Sequence, residues 1–253
     1  MSDGKRYPGR VQWRELMTTD VERAKGFYGE LLPWRFKTED MGGGFLYTLI
    51  HVGEKQIGGI FERPPGVPAP SHWSSYVSVD DVDAAVAKAQ RLGGKLLKEP
   101  MDVPNVGRMA AIQDPDGAVI WAYRGAMSDN EPGRPNGGEF CWETLVAKDT
   151  TRAKQFYGEV FGWQALDTPM PVFTVDGTPD GMVADFQTAQ NMPPCWMTYV
   201  VIQDLAATRE RATKLGGNVL MPKIDVPGVG SFAVVADPTG GVLGLFEPAM
   251  PSA

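Results

Sequence analysis

The chain states its main segments twice, and a duplicated chain must fold into something built from equivalent halves. The segment VQWRELMTTDVERAKGFYGELLPW recurs as FCWETLVAKDTTRAKQFYGEVFGW, so that Trp13, Asp20, Phe27, Tyr28 and Trp34 match Trp142, Asp149, Phe156, Tyr157 and Trp163, each 129 positions on. A second block, opened by HWSSYVSVDDVDAAVAKAQRLGGKLL, recurs with Trp73, Tyr76, Gly93 and Asp114 matching Trp196, Tyr199, Gly216 and Asp237, each 123 positions on. The register is strict within blocks, and the second copy is six residues shorter between them. That is the pattern of two folded copies with one altered loop region.

The length, 253 residues, suits two domains of ordinary size, each able to bury a core. A stretch rich in Gly, Pro, Ser and Asn, Arg124 to Glu139, separates two apolar runs and reads as the linker. The domains are therefore placed at 1–130 and 131–253. A net charge of −7 offers no basic stripe to displace counterions from a nucleic acid. No apolar run reaches the roughly 20 residues of a membrane span. The N-terminal MSDGKRYPGR is charged and has no apolar region after it, so a cytoplasmic protein is expected. Cys141 and Cys195 are too few for a disulfide framework and read as buried, inert thiols.

Within the first copy, VQWRELM alternates as a strand. The next segment places Val21, Ala24, Phe27, Tyr28 and Leu31 on one helical face, with Thr19 and Glu22 spaced as a capping box. FLYTLIHV and QIGGIFE follow as strands, then SSYVSV, a helix over Val82–Arg91 stopped by Gly93 and Gly94, and three more strands, the last two joined at Asp114-Pro115-Asp116-Gly117. Each copy is thus two βαβββ modules, with Trp13 equivalent to Ser74 and Ala24 to Ala85. The fold expected is α+β, each pair of modules forming a half-open barrel with a central cleft.

The opening Thr-Asp, Ala and Phe-Tyr to Trp spacing from Trp13 to Trp34, the VDDVDAA helix entry, the Leu-Gly-Gly at Leu92 and the Asp-Pro-Asp-Gly at Asp114 resemble the vicinal oxygen chelate superfamily. That group includes glyoxalase I, extradiol dioxygenases and the bleomycin and fosfomycin resistance proteins. The resemblance covers almost all of both copies. It implies two tandem glyoxalase-like domains and, in the metal-dependent members, a divalent ion held by His or Gln from the opening strands and Glu from the last strands.

Those positions fall on Trp13, Ser74 and Trp121 in the first copy and on Trp142, Met197 and Gly244 in the second. The third-strand acid falls near Ile60 and Val183, with Glu62 and Asp185 the nearest carboxylates. Indoles, a thioether and a glycine do not supply the converging O and N donors a divalent ion needs, so no metal and no cofactor is expected. His51 and His72, the only histidines, leave one other arrangement, His51 with His72 and Glu62; the second copy has no histidine.

Strand alternation directs Trp13, Glu15, Ser74, Tyr76 and Trp121 to the first cleft, and Trp142, Thr144, Met197 and Tyr199 to the second. Aromatic rings with a few polar groups line small-molecule pockets, and the same rings also serve as plain core filling. Glu15 is the one candidate catalytic group, a carboxylate whose burial beside Trp13 would fit it for acid–base work. It could equally be a structural carboxylate bonded to Arg14, Ser74 or a backbone amide. Two functions follow: a metal-independent binder of a small aromatic or apolar molecule, or a glyoxalase-like lyase, isomerase or oxygenase with a non-standard site. Pairing of two copies in one chain makes a monomer sufficient and permits a homodimer.

Overall fold

The computed structural model describes residues 4–168, 170–188 and 192–249; the outer ends of the two copies, at Met1 and Ala253, lie outside them. The first copy contributes β1 (Val11–Thr18), α1 (Val21–Leu31), β2 (Arg35–Asp40), β3 (Leu46–Val52), β4 (Lys55–Glu62), β5 (His72–Ser78), α2 (Val82–Arg91), β6 (Lys95–Val103), β7 (Gly107–Gln113) and β8 (Val119–Gly125). The second contributes β9 (Phe140–Ala147), α3 (Thr150–Phe161), β10 (Gln164–Leu166), β11 (Val172–Thr174), β12 (Met182–Thr188), β13 (Cys195–Val201), α4 (Leu205–Lys214), β14 (Asn218–Val226), β15 (Gly230–Ala236) and β16 (Val242–Pro248). The strands of each copy make one open eight-stranded sheet, β2-β3-β4-β1-β5-β8-β7-β6 and β10-β11-β12-β9-β13-β16-β15-β14. The fold is α+β in two equivalent copies, and neither sheet closes into a barrel. No helix among the described residues is long and apolar enough to cross a membrane.

Each helix starts where an Asp side chain satisfies first-turn amides: Asp20, Asp81, Asp149 and Asp204 are the N-caps. Asp20 accepts from the Arg23 amide at 2.9 Å, so the cap of α1 is Asp20 and not the Thr19 of the expected capping box. The expected apolar face of α1 is buried at Ala24, Phe27, Tyr28 and Leu31, with Val21 only partly covered.

The expectation that each copy buries its own core does not hold. The chain divides into two compact units, one of Met1–Trp13, Ser74–Gly133 and Glu143–Trp196, the other of Arg14–Trp73, Arg134–Trp142 and Met197–Ala253. The core of the first joins Val77, Val86, Ile112 and Ile120 of copy one to Leu145, Phe156, Tyr157 and Phe173 of copy two. The core of the second joins Leu16, Phe27, Tyr28 and Ile60 of copy one to Val200, Leu205, Val235 and Leu245 of copy two. Both periodicities were visible in the sequence; which module each apolar face meets was not.

At the centre of each core lies the same hydrogen-bonded chain. In one unit the Trp196 indole donates to the Tyr157 hydroxyl at 2.9 Å and that hydroxyl donates to Asp114 at 2.8 Å. In the other, Trp73 donates to Tyr28 at 3.1 Å and Tyr28 to Asp237 at 2.9 Å. The second carboxylate oxygen of Asp114 closes its own turn by accepting from the amides of Asp116, Gly117 and Ala118. Burial, reinforced by the neighbouring carboxylate, holds both tyrosines well above the ordinary 10.0, and burial raises Asp114.

Tyr28→Phe leaves Asp237 short of a donor in a dry site and is expected to lower unfolding stability by about 1–3 kcal/mol, read by urea denaturation. Because the raised tyrosine values mean that the folded state keeps protons the unfolded chain would release, stability is full below about pH 10 and falls as pH rises through the folded values. Two of the seven tyrosines should therefore ionise only together with unfolding in an alkaline absorbance titration. Residues 1–130 alone should not yield a folded monomer; a cooperatively melting monomer of that segment would contradict the shared cores.

Candidate functional site

Glu15 lies half-buried on β1, which runs parallel to β4 with Glu15 beside Gly59 and Met17 beside Phe61. On the far side of β4, the antiparallel β3 sets Tyr47 beside Phe61 and Leu49 beside Gly59. The Tyr47 side chain therefore reaches diagonally across β4, over Gly59, and its hydroxyl donates to Glu15 Oε2 at 2.7 Å. This reach depends on the glycine: a Cβ at residue 59 would collide with the Tyr47 ring. Tyr47 is nearly parallel to Phe61 (centroids 6.3 Å apart, 18°), and Phe45 meets Phe61 edge-on at 5.9 Å. Core-facing Leu16 and Ile60 pair with each other and are fully buried, so residue 60, where the third-strand acid was expected, points into the core, away from the Glu15 face.

The other unit holds a second aromatic group. Tyr76 on β5 pairs with Trp121 on β8 and the two rings stack at 5.0 Å and 15°, with Tyr123 edge-on to Tyr76 at 6.1 Å. Ser74 and Tyr76 are buried, while Trp13 and Trp121 are half-buried. The Tyr123 hydroxyl donates to the Val106 carbonyl at 2.9 Å; burial and the charge of Asp129 push its pKa up.

In the second copy, Thr144 stands at the position of Glu15 and Asp185 at that of Gly59, side by side in register. The Thr144 hydroxyl donates to Asp185. A carboxylate–hydroxyl pair thus occurs in both copies, the carboxylate on β1 and the hydroxyl on β3 in the first, the carboxylate on β12 and the hydroxyl on β9 in the second. This register makes Phe186 the counterpart of Ile60, correcting the sequence alignment that set Val183 there. Tyr199 and Met197 are buried and Trp142 is half-buried. Tyr199 lies against Gly244, where a Cβ would strike its ring, and meets Phe232 edge-on at 6.1 Å. The neighbouring Glu143 is buried and accepts from Ser75 at 2.7 Å, a core contact in the first unit.

The residues at the family's ligand positions do not fit a divalent ion. Trp13, Ser74 and Trp121 stand in one copy and Trp142, Met197 and Gly244 in the other, and among the described residues no group of three or more His, Cys, Asp and Glu could hold a metal. The alternative trio is not assembled: His51 pairs with Arg35 and Gln56, His72 Nδ1 lies 2.8 Å from the Pro70 carbonyl, and Glu62 is exposed beside Thr18. The two thiols are half-buried, with Cys141 donating to the Tyr199 carbonyl and Cys195 raised by burial, which keeps it a thiol.

Comparison with known proteins places this architecture. The model of the Glyoxalase/Bleomycin resistance protein/Dioxygenase superfamily matches residues 10–122 and again 142–244. The chain belongs to that superfamily. A Mycobacterium tuberculosis protein described as "Putative glyoxylase CFP32" is 32% identical over 95% of each chain. The "Anthracycline biosynthesis protein DnrV" of Streptomyces peucetius is 29% identical over 95% of this chain and 94% of its own. Among solved structures of the superfamily's fold, the Mn(II)-bound glyoxalase from Novosphingobium aromaticivorans superposes with a TM-score of 0.64 at 14% identity, covering 95% of this chain and 82% of that one. The dioxygenase LapB of Pseudomonas sp. KL28 gives 0.63 at 13%, covering 96% and 94%.

Sequence reasoning reached Glu15 and Thr144 but missed Tyr47, Phe61 and the Thr144–Asp185 pair. Alternation in FLYTLIHV puts Phe45, Tyr47 and Leu49 on one face; that β4 lies between β3 and β1 is set by the crossover, which local pattern does not encode. Gly59→Ala should cost about 1–3 kcal/mol of stability by overpacking against Tyr47. In a Tyr47→Ala background the cost should largely vanish; an equal cost in both backgrounds, by urea denaturation, would place the collision elsewhere.

Proposed function

We propose that the protein binds a small aromatic or apolar molecule without a metal ion, held against the aromatic faces of its sheets. One observation carries this reading: in both copies the positions at which the family's metal-dependent members place ligands are filled by Trp13, Ser74 and Trp121, and by Trp142, Met197 and Gly244. Aromatic rings near those positions, Tyr76 stacked on Trp121 and Tyr199 against Gly244, offer contact area in place of coordination. A relative named for anthracycline biosynthesis supports a flat aromatic ligand, since an anthracycline is a fused planar ring system. The partner in this reading is a small molecule, not a nucleic acid or a membrane, and the protein works in the cytoplasm as a monomer or a homodimer.

An enzymatic reading, a glyoxalase-like lyase, isomerase or oxygenase, is favoured by a single feature, the Glu15 carboxylate held by the Tyr47 hydroxyl. A carboxylate fixed in this way can accept a proton from a bound substrate, and Tyr47 can return one. Native mass spectrometry of the protein as purified, with no chelator, separates the readings. The binder predicts no stoichiometric divalent ion; one Mn, Fe, Zn or Ni ion per copy would overturn it and restore metal-dependent chemistry.

A further inference from the structure

One turn is built in both copies from residues that share only a glycine. Ahead of β1 runs Tyr7-Pro8-Gly9-Arg10, and ahead of β9, 129 positions on, runs Asn136-Gly137-Gly138-Glu139. In each, the fourth residue's amide donates to the first residue's carbonyl at 3.0 Å. The third residue has positive φ, 83° at Gly9 and 86° at Gly138, the pattern of a type II turn. Both turns are seated alike: the Gly9 carbonyl accepts from the Trp163 indole at 2.8 Å and the Gly138 carbonyl from Trp34 at 2.7 Å. The second position of such a turn makes no use of its N–H, so proline can stand there, as Pro8 does. Gly137 keeps its N–H, which donates to nothing among the described residues.

A reactive partner stands next to that nitrogen. Asn136-Gly137 is the only Asn-Gly pair in the chain; the other four asparagines precede Val106, Glu131, Met192 and Val219. Asn136 and Gly137 are both exposed, and glycine has no side chain to hinder approach. Joining the Gly137 nitrogen to the Asn136 Cγ closes a five-membered ring. The Asn136 side chain is restrained by one hydrogen bond, from Nδ2 to Glu139 Oε1 at 3.2 Å.

We propose that Asn136 is a self-modification site, where the Gly137 nitrogen attacks the Asn136 side-chain carbonyl and water then opens the ring to aspartate or isoaspartate. In the first step the N–Cγ bond forms and the Cγ–Nδ2 bond breaks, the amide proton of Gly137 leaving with that nitrogen as ammonia. In the second, water adds to either ring carbonyl. Breaking the new N–Cγ bond gives aspartate, and breaking the original peptide bond carries the main chain through Cβ and Cγ as isoaspartate. Neither step needs an oxidant or a reductant. The first copy, with Tyr7 and Pro8, is immune.

The change falls on a tight joint. Glu139 is buried and also accepts from Lys55 at 2.6 Å, so aspartate at 136 replaces one of its donors with a second negative charge. Isoaspartate adds a methylene to the main chain inside the turn, which disturbs the Glu139 amide bond and the seat of Gly138, a residue so close to Pro33 that a Cβ would collide with it. This inference stands apart from the small-molecule reading above.

Peptide mapping of the whole protein after warm, mildly alkaline incubation tests it. Expected is the mass gain of an amide turned into an acid at Asn136 and at none of the other four asparagines, with isoaspartate detected by isoaspartyl methyltransferase labelling. Its rate should lie within about tenfold of that of a synthetic peptide spanning residues 131–141, since one side-chain hydrogen bond is all that has to open. The converted protein should melt about 2–4 °C below the fresh protein. Gly137→Pro, which the equivalent turn at Pro8 already accommodates, should abolish the conversion and keep the melting temperature. Asn136→Gln, which retains an amide but closes a six-membered ring, should slow it strongly and serves as the second block. A slower rate than the peptide margin allows, equal conversion at Asn130, or conversion undiminished in both variants would overturn the site. A converted protein that melts with the fresh one would overturn its effect on the joint.

Discussion

A tyrosine hydroxyl buried between an indole donor and an aspartate acceptor is the interaction on which the rest of this molecule depends. It occurs twice, as Trp73–Tyr28–Asp237 and Trp196–Tyr157–Asp114. In each case the helix of one copy supplies the tyrosine and the closing turn of the other supplies the acid. A hydroxyl placed in a dry core costs free energy unless both its donor and acceptor roles are met, and this arrangement meets both. Neither copy can satisfy its own members. The duplication is thus more than two domains on a string, since each copy completes a hydrogen-bond network that the other begins.

The same turns are anchored further by different means in the two units. Asp116 accepts the amides of Lys148 and Asp149 at the start of α3 and pairs with Arg152. Its counterpart Thr239 accepts from the Thr18 hydroxyl at 2.8 Å and donates to Asp237. A carboxylate suits the first because it faces two backbone donors and a guanidinium; a hydroxyl suits the second because it must both give and receive. Divergence of the DPDG and DPTG motifs follows from these partners.

Much of the architecture was legible in the sequence because its causes are local. Helix α2 runs from Val82 to Arg91 as the apolar spacing and Gly93 indicated, and the four Asp caps sit ahead of the apolar faces. The repeat in Phe-Tyr and Asp-Pro was visible, while its meaning was not, because Tyr28 and Asp237 are 209 positions apart and local pattern carries no information about such a pair. The same limit hid Tyr47. Its face was readable from alternation, whereas its contact with Glu15 needed a parallel crossover and a glycine at 59 to pass over.

The exchange of Glu15 and Gly59 for Thr144 and Asp185 shows how a duplicated site drifts under constraint. With a long hairpin, a tyrosine can arrive from β3, and the strand between must then carry glycine so that the ring can lie over it. With a short hairpin there is no counterpart of that tyrosine, the glycine is no longer needed, and an acid on the middle strand can be met by a hydroxyl on the first. Each arrangement leaves the carboxylate hydrogen-bonded, as partial burial demands. They are not interchangeable one residue at a time: an acid at residue 59 would meet both the Tyr47 ring and the negative charge of Glu15. Hairpin length, and not any single side chain, therefore decides which chemistry each copy can present.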